Sequence, residues 1–128
     1  MIILLDTSNP VCKLTIVNGD KTNDYEWESG RELAKGLLGY LHEKLQHEGC
    51  DWSDIEAIGV YEGPGSFTGL RIGLTVANTI ADAQSIPIVG ATGDNWKSDV
   101  LGKIHDGQNE KIVLPLYGAE ANITKPRK

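Results

Sequence analysis

With 128 residues and 40% hydrophobic content, the chain has room for one globular domain with a core. A formal net charge of −6 argues against direct nucleic-acid binding, which needs a basic footprint; only the tip Lys125-Pro126-Arg127-Lys128 is basic, and it reads as a solubilising end. The opening run from Met1 to Asp6 has no basic n-region and is far too short to span a bilayer, so a soluble, non-secreted, cytoplasmic chain is expected.

Ile2 to Asp6 is an apolar run ending in a carboxylate and predicts a central strand. Asp6-Thr7-Ser8-Asn9-Pro10 is turn chemistry. Cys12 to Val17 alternates as a second strand, Asn18-Gly19-Asp20 signals a hairpin, and the more polar Thr22 to Glu28 suits an edge strand. A helix is expected from Ser29 or Gly30 to about Glu48, with Leu33, Leu37, Leu41 and Leu45 as its apolar stripe and Gly36, Gly39 and Tyr40 on the other side.

Ile55 to Tyr61 predicts a buried strand, followed by a glycine turn and a second helix starting near Thr68. The Thr68 hydroxyl can cap the free N–H groups of that first turn, and Ser66 is the other candidate. Gly69, Gly73, Ala77 and Ala81 recur every fourth residue as a smooth ridge. Together with Leu70, Ile72, Leu74, Val76 and Ile80 they cover roughly 200° of the helix, about twice what one sheet requires. Two surfaces are therefore covered. Both can be internal, a sheet and a neighbouring helix, or one can belong to another chain.

Ile86 to Ala91 predicts a further buried strand, Thr92-Gly93-Asp94 an N-cap, and Asn95 to about His105 a weaker helix. Ile112 to Leu116 can form one more strand, held to an edge by Pro115, and an irregular arm is expected from Tyr117. The order βββ-α-β-α-β-α, three antiparallel strands and then crossover units, is the plan of a single ribonuclease-H-like α/β lobe over residues 1–106 with a mixed five-stranded sheet. Residues 107–128 form a C-terminal strand and basic arm beyond it.

Chemistry is sparse along the chain. Asp6 and Glu62, at strand ends, are weak metal candidates, because two-metal hydrolysis needs several converging carboxylates and only Asp94 or Asp99 is on hand as a third. The run Gly63 to Gly69 lacks the Gly-Lys-Ser/Thr ending of a P-loop and misses the Rossmann spacing by one residue. His42, His47 and His105 have no partner pattern, and Cys12 and Cys50 are expected to be ordinary thiols. A small metal-dependent nuclease or phosphotransferase using Asp6 and Glu62 is the competing functional reading.

Ile3-Leu-Leu-Asp-Thr-Ser8, the stretch GPGSFTGLRIG from Gly63 to Gly73, and Ile86-Pro-Ile-Val-Gly90 together resemble the TsaB (YeaZ) family over roughly Met1 to Thr92. The resemblance implies an actin-like ATPase superfamily lobe in a non-catalytic scaffold. Such a scaffold activates the TsaD transferase in threonylcarbamoyladenosine modification of tRNA next to the anticodon. It also implies pairing through the first two helices, with TsaD or as a homodimer, and a further partner in the TsaE ATPase. It implies no cofactor on this chain, with ATP and metal on the partner subunits, and tRNA met only through the complex. The residues it puts at the partner face are Gly69, Arg71, Gly73, Val76, Ala77 and Ile80 on the second helix, with Gly36 and Tyr40 on the first. Two departures stand out. Most of the family's second lobe is absent, with Pro115 to Glu120 resembling the family's C-terminal end, and Gly30-Arg31-Glu32 stands where the first helix often opens with His-Ser.

Overall fold

The computed structural model describes residues 1–116. Five strands form one mixed sheet in the order β3-β2-β1-β4-β5. They are β1 (Ile2–Asp6), β2 (Val11–Asn18), β3 (Lys21–Glu28), β4 (Ala57–Tyr61) and β5 (Ile88–Ala91). The apolar strands β1 and β4 sit at the centre, where both faces are covered. In β1, Ile3 lies between Ile16 of antiparallel β2 and Ile58 of parallel β4.

Side chains alternate across a strand, so β1 serves two layers. Ile3 and Leu5 join Leu14 and Ile16 under α1 (Leu33–His47) and α2 (Phe67–Gln84). Leu4 points the other way, to Val89, Trp96 and Val100 under α3 (Trp96–His105). A Cβ on Gly59 would lie 2.6 Å from Val100 Cγ2, so a bare backbone on β4 lets α3 approach. Leu37, Leu41 and Leu45 are all buried on the sheet side of α1, and truncating any one to Ala should cost about 2–5 kcal/mol. This is the ribonuclease-H-like lobe that the element order predicts.

Several boundaries differ from expectation, each for a local reason. A single 3-10 turn, Gly30–Glu32, precedes α1, so the α-helix proper starts at Leu33. Ile55 closes another 3-10 turn, whose Asp51 and Asp54 cap each other's backbone, and β4 begins two residues later. Ser66, rather than Thr68, caps α2: its Oγ accepts from Gly69 N–H at 3.2 Å. Asp94 lies in the turn before α3 and makes no side-chain cap; the residue flanking the helix is Asn95.

The expected strand Ile112–Leu116 is absent. Lys111 has φ +68, and the segment's hydrogen bonds go to side chains and loops instead of a ladder. Residues 109–116 form a strap. Asn78 of α2 donates from Nδ2 to Val113 O and accepts from Val113 N–H, both at 2.9 Å, and Val113 is buried. Leu116 N–H donates to Glu62 O at 2.7 Å. A Cβ on Gly63 would fall 2.0 Å from Leu116 O, and its φ of +123 suits only glycine. The arm expected from Tyr117 and the basic tip lie outside the described residues. Among the described residues, no helix is long and apolar enough to cross a membrane. Cys12 and Cys50 are free thiols; Cys12 is fully buried, and burial, reinforced by Asp6, pushes it up to about 12.

Candidate functional site

α1 and α2 lie side by side on one face of the sheet, and each shows solvent a side that its buried stripe does not use. On α1 the buried stripe is Leu33, Leu37, Leu41 and Leu45, while Ala34 and Leu38 stay exposed. On α2 the buried set is Leu70, Gly73, Leu74, Ala77, Ile80 and Ala81. That leaves Thr68, Arg71 and Thr75 exposed and Ile72 and Val76 half-buried.

Two adjoining cavities occupy the seam. One, about 340 Å³, is lined by Ala34, Thr68, Arg71, Ile72, Thr75 and Val76. The other, about 350 Å³, continues past the first turns of both helices to the β1–β2 turn, with Pro10, Arg31, Leu33 and Ser66 in its wall. Thr68 and Ile72 belong to both, so the two make one trough.

The structure divides the residues that the sequence assigned to this face. Arg71 and Val76 line the trough. Gly73 and Ala77 do not: both are buried. A Cβ on Gly73 would sit 2.0 Å from Thr7 Oγ1, so the ridge packs against the end of this chain's own β1. Gly69 does both: it lines the second cavity, and its carbonyl accepts a 2.8 Å hydrogen bond from Thr7 Oγ1. Ile80 is 7% exposed and belongs to the core. The periodicity located two apolar arcs on α2 but could not say which one met the sheet; Thr7 decides it.

Gly36 and Tyr40 also serve an internal contact. A Cβ on Gly36 would lie 2.8 Å from Trp27 Cη2, and the Tyr40 ring stacks on Trp27 with centroids 4.9 Å apart. The Tyr40 hydroxyl is buried without a hydrogen-bond partner among the described residues, and burial pushes its pKa up to about 12. In exchange, the trough adds Arg31, Ala34, Ile72 and Thr75, which are not among the residues expected at the partner face. Their signal was helical spacing, 31-34 across the 3-10 turn and the start of α1 and 68-72-75 on α2. It gains meaning only once the two helices are known to be neighbours.

The carboxylates do not assemble. Asp6 accepts from Ser8 N–H at 2.8 Å, a turn-capping role. Glu62 lines a separate cavity of about 550 Å³ with Thr92, Ser98, Asp99, Lys103 and Asp106. Burial and then the Glu110 charge hold Glu62 above the ordinary carboxylate value, with Lys103 opposing them. Asp94 is not in that wall; its charge acts with that of Asp6 on Tyr61, whose hydroxyl burial pushes up. Among the described residues, no group of three or more His, Cys, Asp or Glu is placed to hold a metal ion, and no observation favours the nuclease reading.

Comparison with known proteins bears on the same elements. Residues 28–92, just over half of the chain, match the family model described as TsaD, tRNA N6-adenosine threonylcarbamoyltransferase. The tRNA threonylcarbamoyladenosine biosynthesis protein TsaB of Escherichia coli K12 is 31% identical over 91 residues, 71% of this chain and 39% of that protein. The protein of the same name in Bacillus subtilis 168 is 33% identical over 127 residues, covering 91% of this chain and 54% of its own length. The solved structure of YeaZ from Pseudomonas aeruginosa superposes with a TM-score of 0.67 at 28% identity, over 71% of this chain and 43% of that one. The chain thus spans about half, or less, of the length of these relatives. With the strand order, the capped glycine turn before α2 and these matches in hand, the chain belongs to the TsaB (YeaZ) branch of the TsaD-related family.

Proposed function

We propose that the chain is a non-catalytic subunit that pairs with the TsaD transferase and supports threonylcarbamoyladenosine modification of tRNA next to the anticodon. The carrying observation is the trough between α1 and α2, whose apolar floor of Ala34, Ile72 and Val76 is left partly uncovered. A stable protein–protein contact of standard size buries about 800 Å² per partner, an area that the outer faces of two helices can offer. Residues 1–106 act as the family's first lobe. ATP and metal belong to the partner subunits, TsaE joins the pair, and tRNA is met only through the complex. Alone, the chain forms a homodimer through the same two helices, in the cytoplasm.

The test is co-purification of the untagged chain with tagged TsaD of the same organism, followed by a modification assay in which this chain is supplied or withheld. Co-elution with chain-dependent modification is expected. No co-elution, or modification that proceeds equally without the chain, would overturn the reading.

A further inference from the structure

Arg31 and Arg71 are the only arginines among the described residues, and both stand in the wall of the trough. Neither forms an ion pair among the described residues. The guanidinium of Arg71 lies 5.5 Å from the Phe67 ring centroid, a contact that leaves its charge unneutralised. No Asp or Glu lines either cavity, although the chain as a whole carries −6. The trough is therefore a positive, apolar-floored seam on an acidic protein.

We propose that this seam is a charge-selective docking site for a helix that carries carboxylates beside its apolar stripe, contributed by a different protein in preference to a second copy of this chain. The inference rests on the pairing proposed above and names what the partner must bring. Along α2 the seam runs from Thr68 to Val76, two turns or about 12 Å, the span over which a helix presents apolar residues at i, i+3/i+4 and i+7. Arginine favours planar, bidentate partners, which points to carboxylates at the rim. An isologous contact would set the same patch against itself, bringing Arg31 and Arg71 to a copy that lines its trough with no carboxylate. Like charges so juxtaposed oppose association, and a partner of opposite charge gains in both encounter rate and register. The homodimer is thus the weaker of the two associations.

The experiment compares wild type, Arg31→Glu/Arg71→Glu and Arg31→Gln/Arg71→Gln by calorimetric titration against TsaD of the same organism at low and high salt. Sedimentation of each protein alone runs in parallel. Thermal melts establish that the variants fold, which both exposed positions favour. Wild-type affinity should fall with salt, the Glu pair should lose at least about tenfold, and the Gln pair should lie between. Self-association should be weaker than TsaD binding in wild type, change little in the Glu pair, which replaces one set of like charges by another, and strengthen in the Gln pair, where they are gone. Folded Glu variants that bind TsaD within about threefold of wild type would overturn the proposal and leave the pairing intact. Wild type that does not bind TsaD would bring down the pairing and this proposal together. A wild-type homodimer tighter than the TsaD complex, and dissolved by charge reversal, would place a second copy in the seam and refute it.

Discussion

Replacing Gly73 by Ala sets two forces against each other, and the geometry decides the sign. Helix propensity alone favours the substitution by about 1 kcal/mol, since Gly is the poorer helix former. The new Cβ, however, would stand 2.0 Å from Thr7 Oγ1, 2.7 Å from its Cγ2 and 2.8 Å from its Cβ. Thr7 is 3% exposed and has no free space to retreat into. Rotating its side chain turns the single Cβ hydrogen toward the new methyl and so relieves one of the first two contacts, sacrificing the hydrogen bond to Gly69 O, but leaves the other position filled and the third contact unchanged. Overpacking of this kind costs about 1–3 kcal/mol and the lost hydrogen bond about 1 kcal/mol. The net expectation is a destabilisation of about 1–3 kcal/mol, a fall in Tm of roughly 4–12 °C for a chain of this size. Calorimetry on Gly73→Ala, Thr7→Ala and the double variant measures it. The double should recover part of the loss, because the third contact remains. A Gly73→Ala protein as stable as wild type, or more so, would refute the seating of α2 on Thr7.

Asp6→Ala should cost about 1 kcal/mol through its lost turn cap, and tRNA modification by the reconstituted complex should continue; a loss of orders of magnitude in a folded protein would return Asp6 to the reacting groups. Asn78→Ala leaves both backbone groups of Val113 without their partner, at about 1–3 kcal/mol, so trypsin should cut after Lys111 faster than in wild type while α1 stays protected. Glu62 bears on pH dependence. Its folded pKa is raised, so the fold holds its proton more firmly than the unfolded chain does, and stability is lost as pH climbs above the ordinary 4.5. Glu62→Gln should remove that loss, and melts across about pH 4 to 8 should show the variant gaining on wild type toward neutrality.

The sheet was legible because its signals are local. Apolar runs at Ile2 to Asp6, Ile55 to Tyr61 and Ile86 to Ala91, and the turn at Asn18-Gly19-Asp20, each depend on neighbours in sequence. The capping of α2 was half legible: Ser66 and Thr68 are both hydroxyl residues, and only backbone geometry separates them. The orientation of the glycine ridge was not. It is fixed by Thr7, more than sixty residues away, and no periodicity reports a partner at that range. The segment Ile112 to Leu116 misleads for a related reason. Its apolar run resembles a strand, yet Val113 satisfies both backbone groups on the Asn78 side chain. At the site, Arg71 and Val76 could be chosen from the helix alone, whereas Arg31 becomes meaningful only beside α2.

The strap has one more consequence, and it concerns solubility. The outer side of β5 presents four backbone groups, the N–H and C=O of Ile88 and of Gly90, which would otherwise template a stranger's strand. Ile88 N–H donates to Asn109 Oδ1 and Ile88 O accepts from Glu110 N–H. Gly90 N–H donates to Glu110 Oε1 and Gly90 O accepts from Lys103 Nζ. All four are occupied, three of them by side chains that cannot propagate a ladder. The opposite margin, β3, is polar and largely exposed. A chain whose sheet ends in the all-buried Ile88-Val-Gly-Ala91 is thereby kept from adding strands edge to edge, and the strap, though it carries no regular structure of its own, is what stops the sheet from growing.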